Sequence, residues 1–250
     1  MDYNNIEVVE EDGTCIIYFK REKHMNTVTE EMVDEIIHAM NNVSNNCRSV
    51  IIGGRGNFSA GADVSQFQDI DTAGAYNFHL KLNELALFFR NYRKPVISFL
   101  NGYVLGGGLE LSLSTDIRIC SENAILGQPE INLGINAGAG GNVILPSVVG
   151  RNRALYMILT GEKLSAAQAY DFGLVDLLSD NPEMEAKRIA ALINGMPVDT
   201  VTIAKRTVNN STDNNLNMKL DYEAALFGIL QSGNNTKERI NKFMNKKKKK

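Results

Sequence analysis

Three cysteines and three histidines are all that these 250 residues supply of the usual thiol and metal-binding chemistry. Cys15, Cys47 and Cys120 are odd in number, and no two stand in a Cys-x-x-Cys spacing. That argues against a disulfide framework and a thiolate metal site, and it implies a reducing compartment. His24, His38 and His79 are scattered, with neither metal-ligand spacing nor an obvious nucleophile nearby. They read as structural or solvated side chains, so no metal and no catalytic triad is expected. No apolar run approaches the ~20 residues needed to cross a bilayer. Met1-Asp2-Tyr3-Asn4-Asn5 is polar and lacks the apolar centre of a signal peptide. A soluble, cytoplasmic protein with no membrane partner is expected. The formal net charge of −3 gives no reason to expect a nucleic-acid partner. Its local exception, Lys246 to Lys250, reads as a solvated basic end.

Nucleotide and hydrolase signatures are missing as well. Gly54-Arg55-Gly56 is followed by Ser59 where a dinucleotide fingerprint requires a third glycine, and Gly138-Ala139-Gly140-Gly141 also fails that spacing. The chain contains no Gly-x-x-x-x-Gly-Lys-[Ser/Thr] and no Gly-x-Ser-x-Gly. A P-loop and a nucleophile elbow are thereby excluded.

What is present is a regular alternation. Hydrophobic content of 44% against 22% charged residues is that of a globular chain, long enough to bury one substantial core. Ile6-Glu7-Val8-Val9 and Cys15 to Phe19 flank Asp12-Gly13, a hairpin signal. Thr27-Val28-Thr29-Glu30 fits a capping box, and Met32, Val33, Ile36, Ile37, Met40 and Val43 mark one face of the helix after it. Ser49 to Ile52 and Val96 to Leu100 read as buried strands, with a long helix over about 73–91 between them. Asp116 to Cys120 and Ala124 to Leu126 read as further strands. Strand, glycine loop and helix alternate to about residue 180, an α/β layering. After Pro182 the pattern is helical, with candidates at Met184–Ile193, Val198–Val208, Leu216–Leu230 and Lys237–Met244.

The most informative stretch is Leu105-Gly106-Gly107-Gly108-Leu109-Glu110, with Glu130 twenty residues on in Gly127-Gln128-Pro129-Glu130. Consecutive glycines leave no side chains to hold a ligand away from the backbone. The apolar run after them reads as a buried helix, whose first amides suit an oxygen that becomes negative during a reaction. Two carboxylates beside such donors could move the protons. The competing reading is a tight turn before a core helix, with two unrelated glutamates.

Here the residues resemble a known family. Phe58-Ser59-Ala60-Gly61-Ala62-Asp63-Val64, Asn101 to Leu111, Leu126 to Glu130, Leu133 to Gly141 and Leu159 to Ala166 are similar, in order and spacing, to the signatures of the enoyl-CoA hydratase/isomerase (crotonase) superfamily. The likeness runs from about residue 5 to 245. It implies a crotonase-like spiral of strand-strand-helix turns over 1–195 and a C-terminal helical trimerisation region over 196–250. An acyl-CoA thioester substrate is implied, with CoA as part of the substrate and no other cofactor. The backbone amides of Ala62 and Gly107 align with the family's oxyanion hole. Glu110 aligns with water activation and Glu130 chiefly with α-carbon protonation. Lys23, His24, Ala60, Ala62, Asp63 and Gly107 align with substrate-binding positions, the 21–26 segment lying beside the CoA adenine. Homotrimers, paired into hexamers, are implied, and Phe243 with Lys246 or Lys247 could meet a neighbouring subunit's nucleotide.

Departures from the family pattern bear on the pocket. Ala137 stands where the family often has proline, Asn142-Val143-Ile144 where a Thr-Gln-Arg run is common, and Ser65 where a basic residue is frequent. The reading is an enoyl-CoA hydratase. The alternatives are an enoyl-CoA isomerase, which can manage with one carboxylate, and a non-catalytic or RNA-binding member of the fold.

Overall fold

A computed structural model describes residues 2–63 and 71–209. The first hairpin pairs β1 (Ile6–Glu11) with β2 (Thr14–Phe19) antiparallel, across Asp12 and Gly13 with φ of 47° and 74°. Two successive positive φ angles give the turn a twist matching that of the strands, which is why Asp-Gly serves there. Helix α1 (Glu30–Asn41) follows, but its cap differs from the expected box. Thr29, not Thr27, is the N-cap, and its side chain accepts from the Met32 amide. Thr27 instead turns its hydroxyl to Asp63 at 3.5 Å.

The chain then runs through β3 (Ser49–Gly54), α2 (Thr72–Asn91), β4 (Val96–Leu100), β5 (Tyr103–Leu105), α3 (Gly107–Leu113), β6 (Ile117–Ser121) and β7 (Ile125–Gly127). A 3-10 turn over Pro129–Leu133, α4 (Leu145–Val149), α5 (Arg151–Thr160), β8 (Lys163–Ser165), α6 (Ala166–Asp171), β9 (Leu177–Ser179), α7 (Pro182–Asn194) and α8 (Val198–Asn209) complete it. Six strands form one sheet in the order β1-β2-β3-β4-β6-β9, parallel beyond the hairpin. Three short strands, β5-β7-β8, form a second sheet. A strand of the large sheet thus passes directly into a strand of the small one and then into helical structure, as in β4–β5–α3. This is the strand-strand-helix spiral.

Both faces of the large sheet are covered, as a mostly parallel sheet requires. Cys15, Ile17 and Phe19 of β2 join the main core with α1, α2 and α3, while Ile16 and Tyr18 face Ala186 and Ala190 of α7. The small residues of α7 let its backbone approach the isoleucines of the sheet. Helix α8 is tied in by Lys205, whose ammonium lies 2.7 Å from Asp116 and donates to the carbonyls of Phe89 and Lys94. Of the expected 196–250 region only residues 196–209, chiefly α8, are described. The helices expected at Leu216–Leu230 and Lys237–Met244, the Lys246–Lys250 end, and Val64 and Ser65 lie outside the described residues.

Candidate active site

Two crossings bring the glycine loops together. Ser59 accepts at its carbonyl from the Leu105 amide and donates its own amide to Tyr103, laying the 59–62 segment beside β5. On its other side the same segment bridges to Val28: the Val28 amide donates to Gly61, and the Asp63 amide donates to Val28. This bridge uses the two neighbours of Ala62, so the Ala62 amide points to the opposite edge, toward Gly107. A methyl group on Gly107 would stand 3.3 Å from the Ala62 nitrogen. Neither amide donates to another group among the described residues.

Gly106 forms the bend into α3 with φ 50° and ψ −126°, a conformation that glycine alone adopts at low cost. A side chain at 106 would also stand 2.8 Å from Glu130 Oε1. At Gly108 it would meet the carbonyl oxygen of Ser59 at 2.6 Å. The glycine run is therefore required by the close approach of two backbones and a carboxylate.

Glu110 sits in the first turn of α3, 2% exposed. Its Oε1 accepts from the amides of Ala139 and Gly141, both at 2.8 Å. Burial raises its pKa above the ordinary glutamate value, and the amides of the 138–141 loop oppose that rise. Glu130, on the Pro129–Leu133 turn, has a different setting. Burial first, and the charge of Glu110 second, push its pKa up to about 7. Gln128 donates to Oε1 at 3.4 Å, while Oε2 is buried with no hydrogen-bond partner among the described residues. One carboxylate thus has two fixed amide donors, and the other has a distant amide and an open oxygen.

Both carboxyls, Ala60, Ala62 and Gly107 line a cavity of about 300 Å³. Leu82, Leu105, Pro129, Leu133 and Ile135 supply its apolar wall. Lys23 and His24 do not line it. They are exposed on a 3-10 turn, Glu22–His24, which abuts the rim because the Ala60 amide donates to the Met25 carbonyl. The Asp63 carboxylate is likewise outside the lining and pairs with Arg21 at 3.0 Å. Among the described residues no group of three or more His, Cys, Asp or Glu could hold a metal ion.

Several participants had no sequence signal. Ala139 and Gly141 act through backbone N–H groups, to which side-chain identity gives no clue. His79, expected to be merely structural or solvated, lies in the cavity wall, and burial lowers its pKa. Lys163 lines the cavity from β8, its ammonium 5.7 Å from the Tyr103 ring centroid. Asn142, one of the departures noted above, closes the loop by donating to the Ala137 carbonyl at 2.9 Å.

A spiral of strand-strand-helix turns, with two carboxyls and two amides that have no acceptor among the described residues around one apolar cavity, defines a protein of the crotonase fold. The profile of the enoyl-CoA hydratase/isomerase family matches residues 9–250, and the chain belongs to that family. The short-chain-enoyl-CoA hydratase of Clostridium acetobutylicum is 32% identical, over 99% of this chain and 97% of that protein. The crotonyl-CoA hydratase of Syntrophomonas wolfei is 32% identical over 99% and 98%. The crystal structure of an enoyl-CoA hydratase from Thermoplasma volcanium superposes with a TM-score of 0.91 at 40% identity, covering 95% of this chain and 96% of that one.

Proposed function

We propose that this protein is an enoyl-CoA hydratase in which Glu110 and Glu130 divide the proton transfers, adding water to a trans-2-enoyl-CoA to give 3-hydroxyacyl-CoA and running in reverse as a dehydratase. The observation that carries the reading is the unlike setting of two carboxyls on one cavity. Burial raises the pKa of both carboxyls; at Glu110 two amides on Oε1 oppose the rise, whereas at Glu130 the charge of Glu110 adds to it. Glu130, pushed up to about 7, retains its proton into the neutral range. Environments that separate two carboxyls in this way assign base and acid.

In the hydration direction the thioester oxygen accepts from the amides of Ala62 and Gly107. Ionised Glu110 takes a proton from water as the water oxygen bonds to Cβ. The Cα–Cβ π pair becomes the enolate, whose negative oxygen rests on the two amides. Glu130 then delivers its proton to Cα, and the two carboxyls return to their starting states by exchanging a proton through solvent. Loss of one such amide donor typically costs ~10²–10³ in rate. The addition is redox-neutral and every step is a proton transfer or a C–O bond change, so the scheme calls on CoA only as part of the substrate. The CoA portion leaves the cavity past Ala60 and the Lys23–His24 turn. The protein is expected to work in the cytoplasm as a homotrimer or hexamer without nucleic acid. Among the described residues no helix is long and apolar enough to cross a membrane.

The test is Glu110→Gln and Glu130→Gln, each assayed by the fall in ultraviolet absorbance of crotonyl-CoA. General acid–base contributions predict losses on the order of 10²–10⁴ for each, with CoA binding largely kept. Near-wild-type hydration by the Glu110 variant would sink the assignment. Double-bond migration without hydration in the unmodified protein would point to an isomerase.

A further inference from the structure

Helix α2 contributes more than a wall. Asn83, half-buried on α2, donates its side-chain Nδ2 to the carbonyl of Gly138 at 3.3 Å. One turn earlier, the His79 ring covers the same residue so closely that a side chain on Gly138 would run into its Cε1 and Cγ at 2.6 and 2.8 Å. Gly138 opens the loop whose next amides, Ala139 and Gly141, both seat Glu110 Oε1. The loop's far side is closed by Asn142, and a gap of only about 10 Å³ remains between Leu82, Leu85, Leu111 and Ala139. The loop therefore has an external anchor on α2, fifty-five residues away in sequence.

We propose that Asn83 is a positioning residue for Glu110: by holding the Gly138 carbonyl it fixes the 138–141 loop, and with it the two amides that seat the catalytic carboxylate. The proposal rests on the hydratase reading for the role of Glu110, and its own content is the anchor. Hydrogen bonds to an ionised carboxylate weaken steeply as donors tilt or recede, so a loosened loop leaves Glu110 easier to protonate. The other titratable groups facing Glu110 are Glu130 from the 3-10 turn, His79 from α2 and Lys163 from β8; β5 and α4 bring none to the cavity. Substituting Asn83 leaves these side chains in place, and of them only His79 also packs on Gly138.

Asn83→Leu removes the donor at similar volume, and Asn83→Gln keeps an amide. For Asn83→Leu the acidic limb of kcat/KM against pH, measured with crotonyl-CoA, should move up by about half a pH unit or more, with kcat falling about threefold to tenfold and KM within about twofold. Asn83→Gln should recover part of the shift. In a Glu110→Gln background, Asn83→Leu should cost nothing further, because the two act as one unit. A purely structural role lowers the profile at every pH without moving its limb, and that result would overturn the proposal. If Asn83→Leu fails to fold, Asn83→Gln and Asn83→Ser carry the same comparison. Carbon-13 NMR of the Glu110 carboxyl, assigned through Glu110→Gln, reads the same shift without substrate. An inactive unmodified protein would therefore overturn the hydratase reading while leaving the anchor to be judged by NMR.

Discussion

Replacing Glu130 by glutamine should make the protein more stable at neutral pH while disabling it. The Glu130 carboxyl has its pKa raised from an ordinary 4.5 to about 7, chiefly by burial. A carboxyl whose folded-state pKa is raised binds its proton more tightly when folded. The stability it contributes is complete below about pH 4.5 and is lost as the pH climbs through about 7. That interval is worth at most about 3–4 kcal/mol at roughly 1.4 kcal/mol per tenfold. Glu130 is only partly buried and borders an open cavity, so screening by solvent reduces the figure to about 1–2 kcal/mol. Glutamine has no proton to lose and escapes the penalty. Melting both proteins at one protein concentration should give equal midpoints near pH 4.5 and a gap opening between pH 5 and 7. Above pH 7 the variant should lead by roughly 2–8 °C, given 2–4 °C per kcal/mol for a domain of this size. A gap independent of pH, or a less stable variant at pH 8, would show that Glu130 is not held in a proton-retaining setting. Its assignment as the acid would then fall.

The ion pair between Lys205 and Asp116 joins α8 to the start of β6 at 2.7 Å, with side chains 8% and 19% exposed. Lys205→Met removes the ammonium and leaves the Val96 amide as a donor to Asp116, and urea unfolding at pH 7 should register a loss of about 3 kcal/mol; a loss below about 1 kcal/mol would mean that the pair is dispensable. For the basic end, removal of residues 248–250 should leave turnover and affinity unchanged. Removal of 243–250 should weaken CoA-thioester affinity more than maximal rate, and the effect should shrink as salt rises. Unchanged affinity at low salt would make the end a solvated one.

Much of this fold could be read because its signals are local. Asp12-Gly13 specifies its turn by needing two positive φ angles, and the Met32–Val33–Ile36–Met40 face of α1 records burial at helical spacing. The displaced cap of α1 shows the limit. Locally Thr27 is the better box, with Glu30 three residues on, yet its hydroxyl is turned to Asp63, thirty-six residues away, and Thr29 caps the helix. Asp63 in turn is drawn to Arg21, so its carboxylate lies outside the cavity lining despite a sequence position beside Ala62. Strand β8 has three residues, one of them buried, too few for a period to emerge.

The candidate site divides along the same line. Glu110, Glu130 and the glycines could be singled out because side-chain identity, or its absence, is what marks them in a sequence, and the structure brings them to one cavity. The groups that tune them could not. Ala139 and Gly141 contribute N–H groups that every residue but proline owns, and their direction is set by a loop pinned at Ala137 through Asn142 and at Gly138 through Asn83. Asn142 and Ala137 both stand out in the sequence as departures from the expected pattern, and the structure joins the two in a single hydrogen bond. A proline there would stiffen the loop by its own ring. Here a side chain spans the loop instead, and α2 holds it from outside. The loop geometry that opposes the burial-driven rise in the Glu110 pKa is thus distributed over residues 83, 138 and 142. No one of these carries the chemistry, so substitutions there should move the pH response of the site before they abolish it.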